Sequence, residues 1–362
     1  MNDKFATAMG RALDLTRAGS TMEATRLIQE ALGGASKGSD QARPHPNART
    51  RQSFGQVIDA IASVRRAQTP KERVTSVQPS VPVGARYETR THTSSHGSRD
   101  YRLFVPSARE AAPQGLVLML HGCTQNADDF AVGTRMNLVA EENNLIVIYA
   151  DQTRQANQMG CWNWFRPEDQ ARGAGEPALL AGLTREVADE HAIPAENTFA
   201  AGLSAGGAMA AILGATYPEV FSAIGVHSGL AAGAASNLPG ALAAMRGHGA
   251  TTARRKGDAV RTIVFHGTSD TTVAPANADA VIAGALGAGP HSEIEDRSTE
   301  GATVTLFRNA GGAIVAEKWS LGGVAHAWSG GAAEGSHTDP TGPEASVEMV
   351  RFFLAGGAEV RS

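Results

Sequence analysis

Gly202-Leu203-Ser204-Ala205-Gly206 constrains this chain more than any other five residues. The apolar run Thr198-Phe199-Ala200-Ala201 leads into it, and a small-residue stretch, Ala208 to Tyr217, follows with helical character. A serine between a buried strand and a helix sits in a tight, strained turn, so its neighbours must carry almost no side-chain bulk. Gly202, Ala205, Gly206 and Gly207 meet that demand. The helix that follows aims its first N–H groups at the serine, where negative charge develops during acyl transfer. The spacing therefore marks Ser204 as a candidate nucleophile rather than a residue of an ordinary glycine-rich turn.

The rest of the chain offers an architecture able to hold such a turn. Residues 86–93 and 100–105 alternate like a hairpin around His96-Gly97-Ser98. Buried-type runs follow at 116–120, 145–149, 197–203, 221–226 and 262–265, with helical segments at 128–143, 177–191 and 204–217 between them. A second hairpin is expected at 303–321 and a closing helix at 343–354. Apolar strands alternating with helices imply an α/β fold with a mostly parallel sheet, opened by an antiparallel hairpin.

Residues 1–84 read differently. Helical segments are expected within 3–33 and over 53–68, with breaker-rich polar linkers at 34–52 and 69–84. This divides the chain into a helical extension, 1–84, and a larger domain, 85–362. Residues 1–68 are candidates for self-association or for docking to a partner or granule, or are an extension without a specific role.

Composition narrows the function classes. Of 362 residues, 42% are hydrophobic and the net charge is −4, which argues against nucleic acid or an anionic membrane surface as the main target. No run of about 18 apolar residues suggests a membrane span. The first turns carry Asp3, Lys4, Arg11 and Asp14 and offer no apolar secretory core, so the sequence as written reads as cytoplasmic. Cys123 and Cys161 are too few for a structural zinc site and would stay reduced in such a compartment.

A nucleophilic serine needs a base and an orienting acid. Thr262 to Asp270 is a buried strand running into a loop that ends in an aspartate, which puts Asp270 at the carboxyl edge of the sheet. Asp258, Asp279 and Asp296 compete, but none directly follows an apolar strand. For the base, His326 sits in a small-residue loop after the last strand, within Gly322 to Trp328. His121, His227 and His266 are less suitably placed, and His337 falls in a polar, exposed-looking segment. The second oxyanion donor, besides the Ala205 N–H, is expected from the main chain of Cys123, where the strand 116–120 ends in His121-Gly122. Metal and organic cofactors are not needed for this chemistry.

Six separated motifs then carry a resemblance. Leu120-His121-Gly122-Cys123-Thr124-Gln125, Asn157 to Phe165, Gly202 to Gly207, Tyr217 to Phe221, His266 to Asp270 and His326-Ala327-Trp328 resemble, in that order, the polyhydroxybutyrate depolymerase family of esterases. Feruloyl and acetylxylan esterases are its relatives. The resemblance covers residues 95–355 and implies the α/β-hydrolase fold, Ser204, Asp270 and His326 as a triad, and a Cys123–Cys161 disulfide. It also implies a secreted or periplasmic setting as the alternative to the cytoplasm.

Trp328 beside His326 is expected to line a substrate cleft. Trp162 and Trp164 are candidates for the same wall or for the core, and Arg166 and Arg172 for a substrate acid group or for salt bridges. An apolar, aromatic-rimmed site suits a neutral ester, with short-chain hydroxyalkanoate esters or oligomers first and feruloyl or acetylxylan-type esters second. An acyltransferase using the same three residues, and a catalytically silent binding module, are the readings from other classes.

Overall fold

The computed structural model describes residues 78–107, 112–249, 260–287, 291–299 and 301–358. The helices and linkers expected over residues 1–77, and Asp258, lie outside the described residues.

Ten strands form one sheet: β1 (Arg86–Ser94), β2 (Gly97–Val105), β3 (Gly115–Leu120), β4 (Leu145–Ala150), β5 (Thr198–Leu203), β6 (Ala223–His227), β7 (Arg261–Gly267), β8 (His291–Thr299), β9 (Ala302–Asn309) and β10 (Ile314–Leu321). Their spatial order is β1-β2-β4-β3-β5-β6-β7-β10-β9-β8. The central run from β4 to β10 is parallel, while β1 and β2 on one side and β9 and β8 on the other are antiparallel. Every residue of β3, β4 and β5 is buried, as both-face coverage of parallel strands requires.

Helices cover the two faces: α1 (Ala127–Thr134), α2 (Met136–Glu142), α3 (Gly175–Glu190), α4 (Ala205–Thr216), α5 (Leu238–Ala243), α6 (Ala276–Leu286) and α7 (Ala345–Ala358). The apolar residues form one cluster on each side of the sheet. Leu118, Leu180 and Met209 belong to one, and Met119, Phe199 and Phe353 to the other. Small residues set the spacing. A Cβ on Gly225 would lie 2.7 Å from Met349 Sδ, so β6 admits α7 only because that position is glycine.

The strand order reverses direction beside β3, with β4 on one flank and β5 on the other. Crevices outside the carboxyl ends of strands form at such switch points. The loops after β3 and β5 flank this one, because Leu120 and Gly202 are register partners.

Three local expectations needed correction. The single helix expected over 128–143 is two, broken at Arg135 with φ +55°. The Gly133 carbonyl there accepts the Ala332 N–H at 2.8 Å, so a distant segment takes the bond that helix continuation would need. The first hairpin is tighter than expected, since its strands run to Ser94 and from Gly97 and leave two residues between them. The second is extended by β8, an edge strand rich in charged residues whose pairing with β9 is interrupted by a bulge between Glu293 and Glu295.

Candidate active site

Ser204 stands between β5 and α4 at φ +56°, ψ −117°, a strained conformation for a residue with a Cβ. The glycines around it make that turn possible. A Cβ on Gly206 would lie 2.0 Å from the Leu120 carbonyl oxygen, and one on Gly202 would lie 2.4 Å from the Gly206 carbonyl carbon. The turn is fastened from the neighbouring strand, where the Ser204 N–H donates to the His227 carbonyl at 2.9 Å.

Asp270 and His326 come together although 56 positions separate them. His326 Nδ1 is 2.7 Å from Asp270 Oδ2, and the other carboxylate oxygen accepts the N–H groups of Thr272 and Val273, each at 2.9 Å. Burial acts to raise the Asp270 pKa, but the hydrogen bond and charge of His326, with the Val273 N–H, hold it below the ordinary value. Asp270 is thus anionic at neutral pH.

The loops carrying these two residues are knitted together. Thr268 N–H donates to the Leu321 carbonyl at 2.8 Å, Ser269 N–H to the Val324 carbonyl at 3.1 Å, and Gly323 N–H to the Thr268 hydroxyl at 2.9 Å. Gly267 lets them close up, since a Cβ there would lie 2.2 Å from the Val324 carbonyl oxygen.

With Nδ1 engaged, Nε2 is the His326 nitrogen left to exchange a proton. Among the described residues it is not hydrogen-bonded to the Ser204 hydroxyl. The two loops are connected through His227. Its carbonyl holds the Ser204 N–H, and its Nε2 accepts the Ser329 N–H at 3.0 Å, three residues beyond His326. His227 is fully buried between Phe265 and Trp328, with ring centroids 5.7 and 5.1 Å away. Burial first, then the charges of His266 and His326, keep its pKa well below the ordinary value, so the ring is neutral. Sequence reasoning weighed His227 only as a rival base; its position at the end of a buried strand was the available signal.

The turn after β3 is fixed by its own side chains. His121 Nδ1 is 2.8 Å from the Gly122 carbonyl, and its Nε2 accepts the Gln152 N–H at 3.0 Å. Both ring nitrogens are therefore engaged. The N–H groups of Cys123 and Ala205, the expected oxyanion donors, make no hydrogen bond among the described residues. A Cys123–Cys161 disulfide ties this turn to the loop 151–174.

Trp328, expected at the cleft, is buried instead, and of the two places open to Trp162 and Trp164, the cleft wall or the core, both take the core. Trp162 is 0% exposed, and its indole N–H donates to the His121 carbonyl at 3.1 Å. Trp328, 1% exposed, donates to the Ser346 hydroxyl at 3.2 Å, and Trp164 packs edge-on against Phe165. In this conformation they brace the loops that shape the site, and an indole with its N–H satisfied in the interior is packing rather than surface. Arg172 is also structural, paired with Glu219 at 2.8 Å and lying 5.0 Å over the Tyr217 ring. His337, expected to be exposed, is half-buried. Asp279 is paired with Lys318 at 3.0 Å. Among the described residues, no group of three or more His, Cys, Asp or Glu is placed to hold a metal, and no helix is long and apolar enough to cross a membrane.

The family profile described as Esterase PHB depolymerase matches residues 99–289, a span holding Cys123, Ser204 and Asp270. The chain belongs to that family. It is 29% identical over 238 residues to poly(3-hydroxyalkanoate) depolymerase C of Paucimonas lemoignei, covering 61% of this chain and 56% of that one. Feruloyl esterase B of Thermothelomyces thermophilus is 31% identical over 191 residues, 48% of this chain and 64% of the relative. The chain thus spans less than two thirds of the length of either. Among solved structures, an acetyl xylan esterase from Aspergillus awamori superposes with a TM-score of 0.56 over 67% of this chain and 93% of its own, at 21% identity. That likeness, with the sheet described above, shows the α/β-hydrolase fold.

Proposed function

We propose that this family member is a serine esterase that hydrolyses hydroxyalkanoate esters or their oligomers. The observation that carries the reading is the anionic Asp270–His326 pair at the carboxyl edge that also presents Ser204. Ser204 Oγ attacks the ester carbonyl carbon while His326 Nε2 takes the hydroxyl proton. The carbonyl π bond opens to an oxyanion that the Cys123 and Ala205 N–H groups receive. The C–O bond to the alcohol then breaks, His326 returns the proton to the leaving alkoxide, and an acyl-serine remains. Water, deprotonated by His326, repeats the sequence and frees the acid. Catalytic hydrogen bonds are often loose before substrate binds, which accounts for the unmade Ser204–His326 bond.

The depolymerase relative supports the hydroxyalkanoate substrate class, and the feruloyl esterase relative supports a carbohydrate ester as the second reading. An acyltransferase would need water excluded in favour of an alcohol, and product analysis with added alcohols separates the two. Residues 85–362 are proposed as the catalytic domain, with 1–84 a separate extension whose part of it, residues 1–68, serves docking or self-association. The Cys123–Cys161 disulfide favours an oxidising compartment, secreted or periplasmic, over the cytoplasm.

The deciding experiment is p-nitrophenyl butyrate turnover by the wild type and Ser204→Ala. Equal rates would remove the serine mechanism. A panel of 3-hydroxybutyrate oligomers, polymer film and methyl ferulate then ranks the substrates, and a preference for the ferulate would overturn the hydroxyalkanoate assignment.

A further inference from the structure

One side chain joins the turn after β3 to the loop that carries His326. Gln125 Oε1 accepts the Gly122 N–H at 2.9 Å. Its Nε2 donates toward Asp129 Oδ2 at 3.1 Å, the Ser336 carbonyl at 3.0 Å and the Ser336 hydroxyl at 3.2 Å. Asp129 completes the ring by accepting the Ser336 N–H at 2.9 Å and the Ser336 hydroxyl. Ser336 lies ten residues beyond His326, in a loop stapled by the parallel pairing of Trp328-Ser329 with Thr338-Asp339. Gln125 is 7% exposed and its bond to the Gly122 N–H is buried, while the bonds it makes to Asp129 and Ser336 are part-buried and those between Asp129 and Ser336 are exposed.

The peptide plane beyond Gly122 is held by the Gln125 main chain and the His121 ring, and the plane before it by the Gln125 side chain. The Gly122 carbonyl accepts the Gln125 N–H at 3.3 Å and pairs with His121 Nδ1 at 2.8 Å. In a trans peptide the carbonyl and the following N–H point in opposite directions. Two donors on the Gly122 oxygen therefore turn the Cys123 N–H the other way, outward from the turn. Gln125 bonds both polar groups of Gly122, one through its side chain and one through its main chain. Its far end reaches across 211 positions to Ser336.

We infer that Gln125 is a positioning residue: its side chain fixes the Gly122 N–H, so that the next peptide presents the Cys123 N–H, and registers that donor against the loop of the base. The inference rests on the proposed function, in which the Cys123 N–H receives the oxyanion. Such a residue acts on the transition state and leaves substrate affinity nearly untouched, because the ester carbonyl gains its negative charge only on attack.

The test is Gln125→Met, an apolar replacement of similar length, assayed with p-nitrophenyl butyrate and inhibited with butylboronic acid. Ser204 Oγ adds to boron in that inhibitor and produces a tetrahedral anion facing the same donors. Loss of a whole oxyanion donor costs about 10²–10³ in rate, so misaiming one is expected to lower kcat by about 10–100-fold. KM should stay within about twofold, and boronate affinity should fall in step with kcat. Unchanged kcat in folded protein, or a KM that rises while boronate affinity holds, would overturn the inference. Should Gln125→Met lose cooperative unfolding, Gln125→Glu keeps the acceptor for Gly122 but turns an oxygen toward Asp129 and the Ser336 carbonyl, so it breaks the tie to the loop of the base and is judged by the same two readouts. Ser204→Ala runs beside them: activity surviving there removes the serine mechanism, whereas activity lost there and intact in Gln125→Met removes only the role of Gln125.

Discussion

Asp270 presents one carboxylate oxygen to His326 Nδ1 at 2.7 Å and the other to two main-chain N–H groups, so its orientation is set from both sides. Asp270→Asn keeps that shape but removes the charge, and the amide can offer Nδ1 a donor where an acceptor is needed. In Ser-His-Asp triads this change selects the wrong imidazole tautomer at a cost of about 10⁴ in kcat. A loss of about that size is expected here with KM little changed, measured by steady-state turnover of p-nitrophenyl butyrate. A loss below tenfold would mean that His326 does not depend on this carboxylate.

Gly206→Ala tests the turn sterically. The added methyl would lie 2.0 Å from the Leu120 carbonyl oxygen and 2.6 Å from the His121 carbonyl oxygen, both main-chain atoms that cannot rotate away. Overpacking costs typically about 1–3 kcal/mol, and backbone obstruction puts this site at the upper end or beyond. Urea denaturation should show that loss, and activity should fall because β3 and Ser204 are forced apart. Gly284→Ala is the control, since nothing lies within 4 Å of a Cβ there.

The strained turn at Ser204 and the meeting of Asp270 with His326 were legible because each residue is announced by its own neighbourhood: small residues flanking a turn, or a loop following an apolar strand. What escaped depends on partners distant in sequence. The break at Arg135 follows from the Gly133 carbonyl meeting Ala332, and the role of Gln125 from Ser336. Nothing near 133 or 125 reveals either encounter. The tryptophans were identified as apolar and near the site, but periodicity does not say on which side of a loop an indole will pack. β8 escaped because an edge strand such as HSEIEDRST lacks the apolar run that marks β3 and β4.

The disulfide offers a test of both stability and rate. Closing a loop between residues 38 positions apart removes unfolded-state entropy, with a typical contribution of about 2–4 kcal/mol. Under non-reducing denaturation a thiol reagent should find no free thiol. Cys161→Ser should lower the urea midpoint correspondingly and reduce kcat more than it raises KM, because the tether holds the turn bearing the Cys123 N–H. Two reactive thiols in freshly purified protein would show that the bond is not made.

Acid sensitivity should follow from histidine rings held wholly or partly out of water, among them the buried His227 and His266 and the half-buried His337. Burial lowers the pKa of His227, His266 and His337 below the ordinary value of 6.5, with the charge of His326 adding to it in each case. The unfolded chain therefore binds more protons than the fold once the pH drops below about 6.5, and stability falls as pH falls. Asp169 works in the opposite sense. Burial raises its carboxyl to about 6 from 3.8, so the fold gains stability between those values as pH falls. Asp270, held low, loses its contribution only below about 3.8, outside this window. Burial lowers His191 as well, so with four rings against one carboxyl the urea midpoint should decline from pH 7 to pH 5. His227→Gln removes one titrating ring and should flatten that decline by at most about 1.4 kcal/mol per pH unit, the limit for a single proton. The variant will also be less stable at pH 7, since the bond to the Ser329 N–H is disturbed. The slope rather than the midpoint therefore carries the result, and an unchanged slope would mean that His227 takes up its proton inside the folded core.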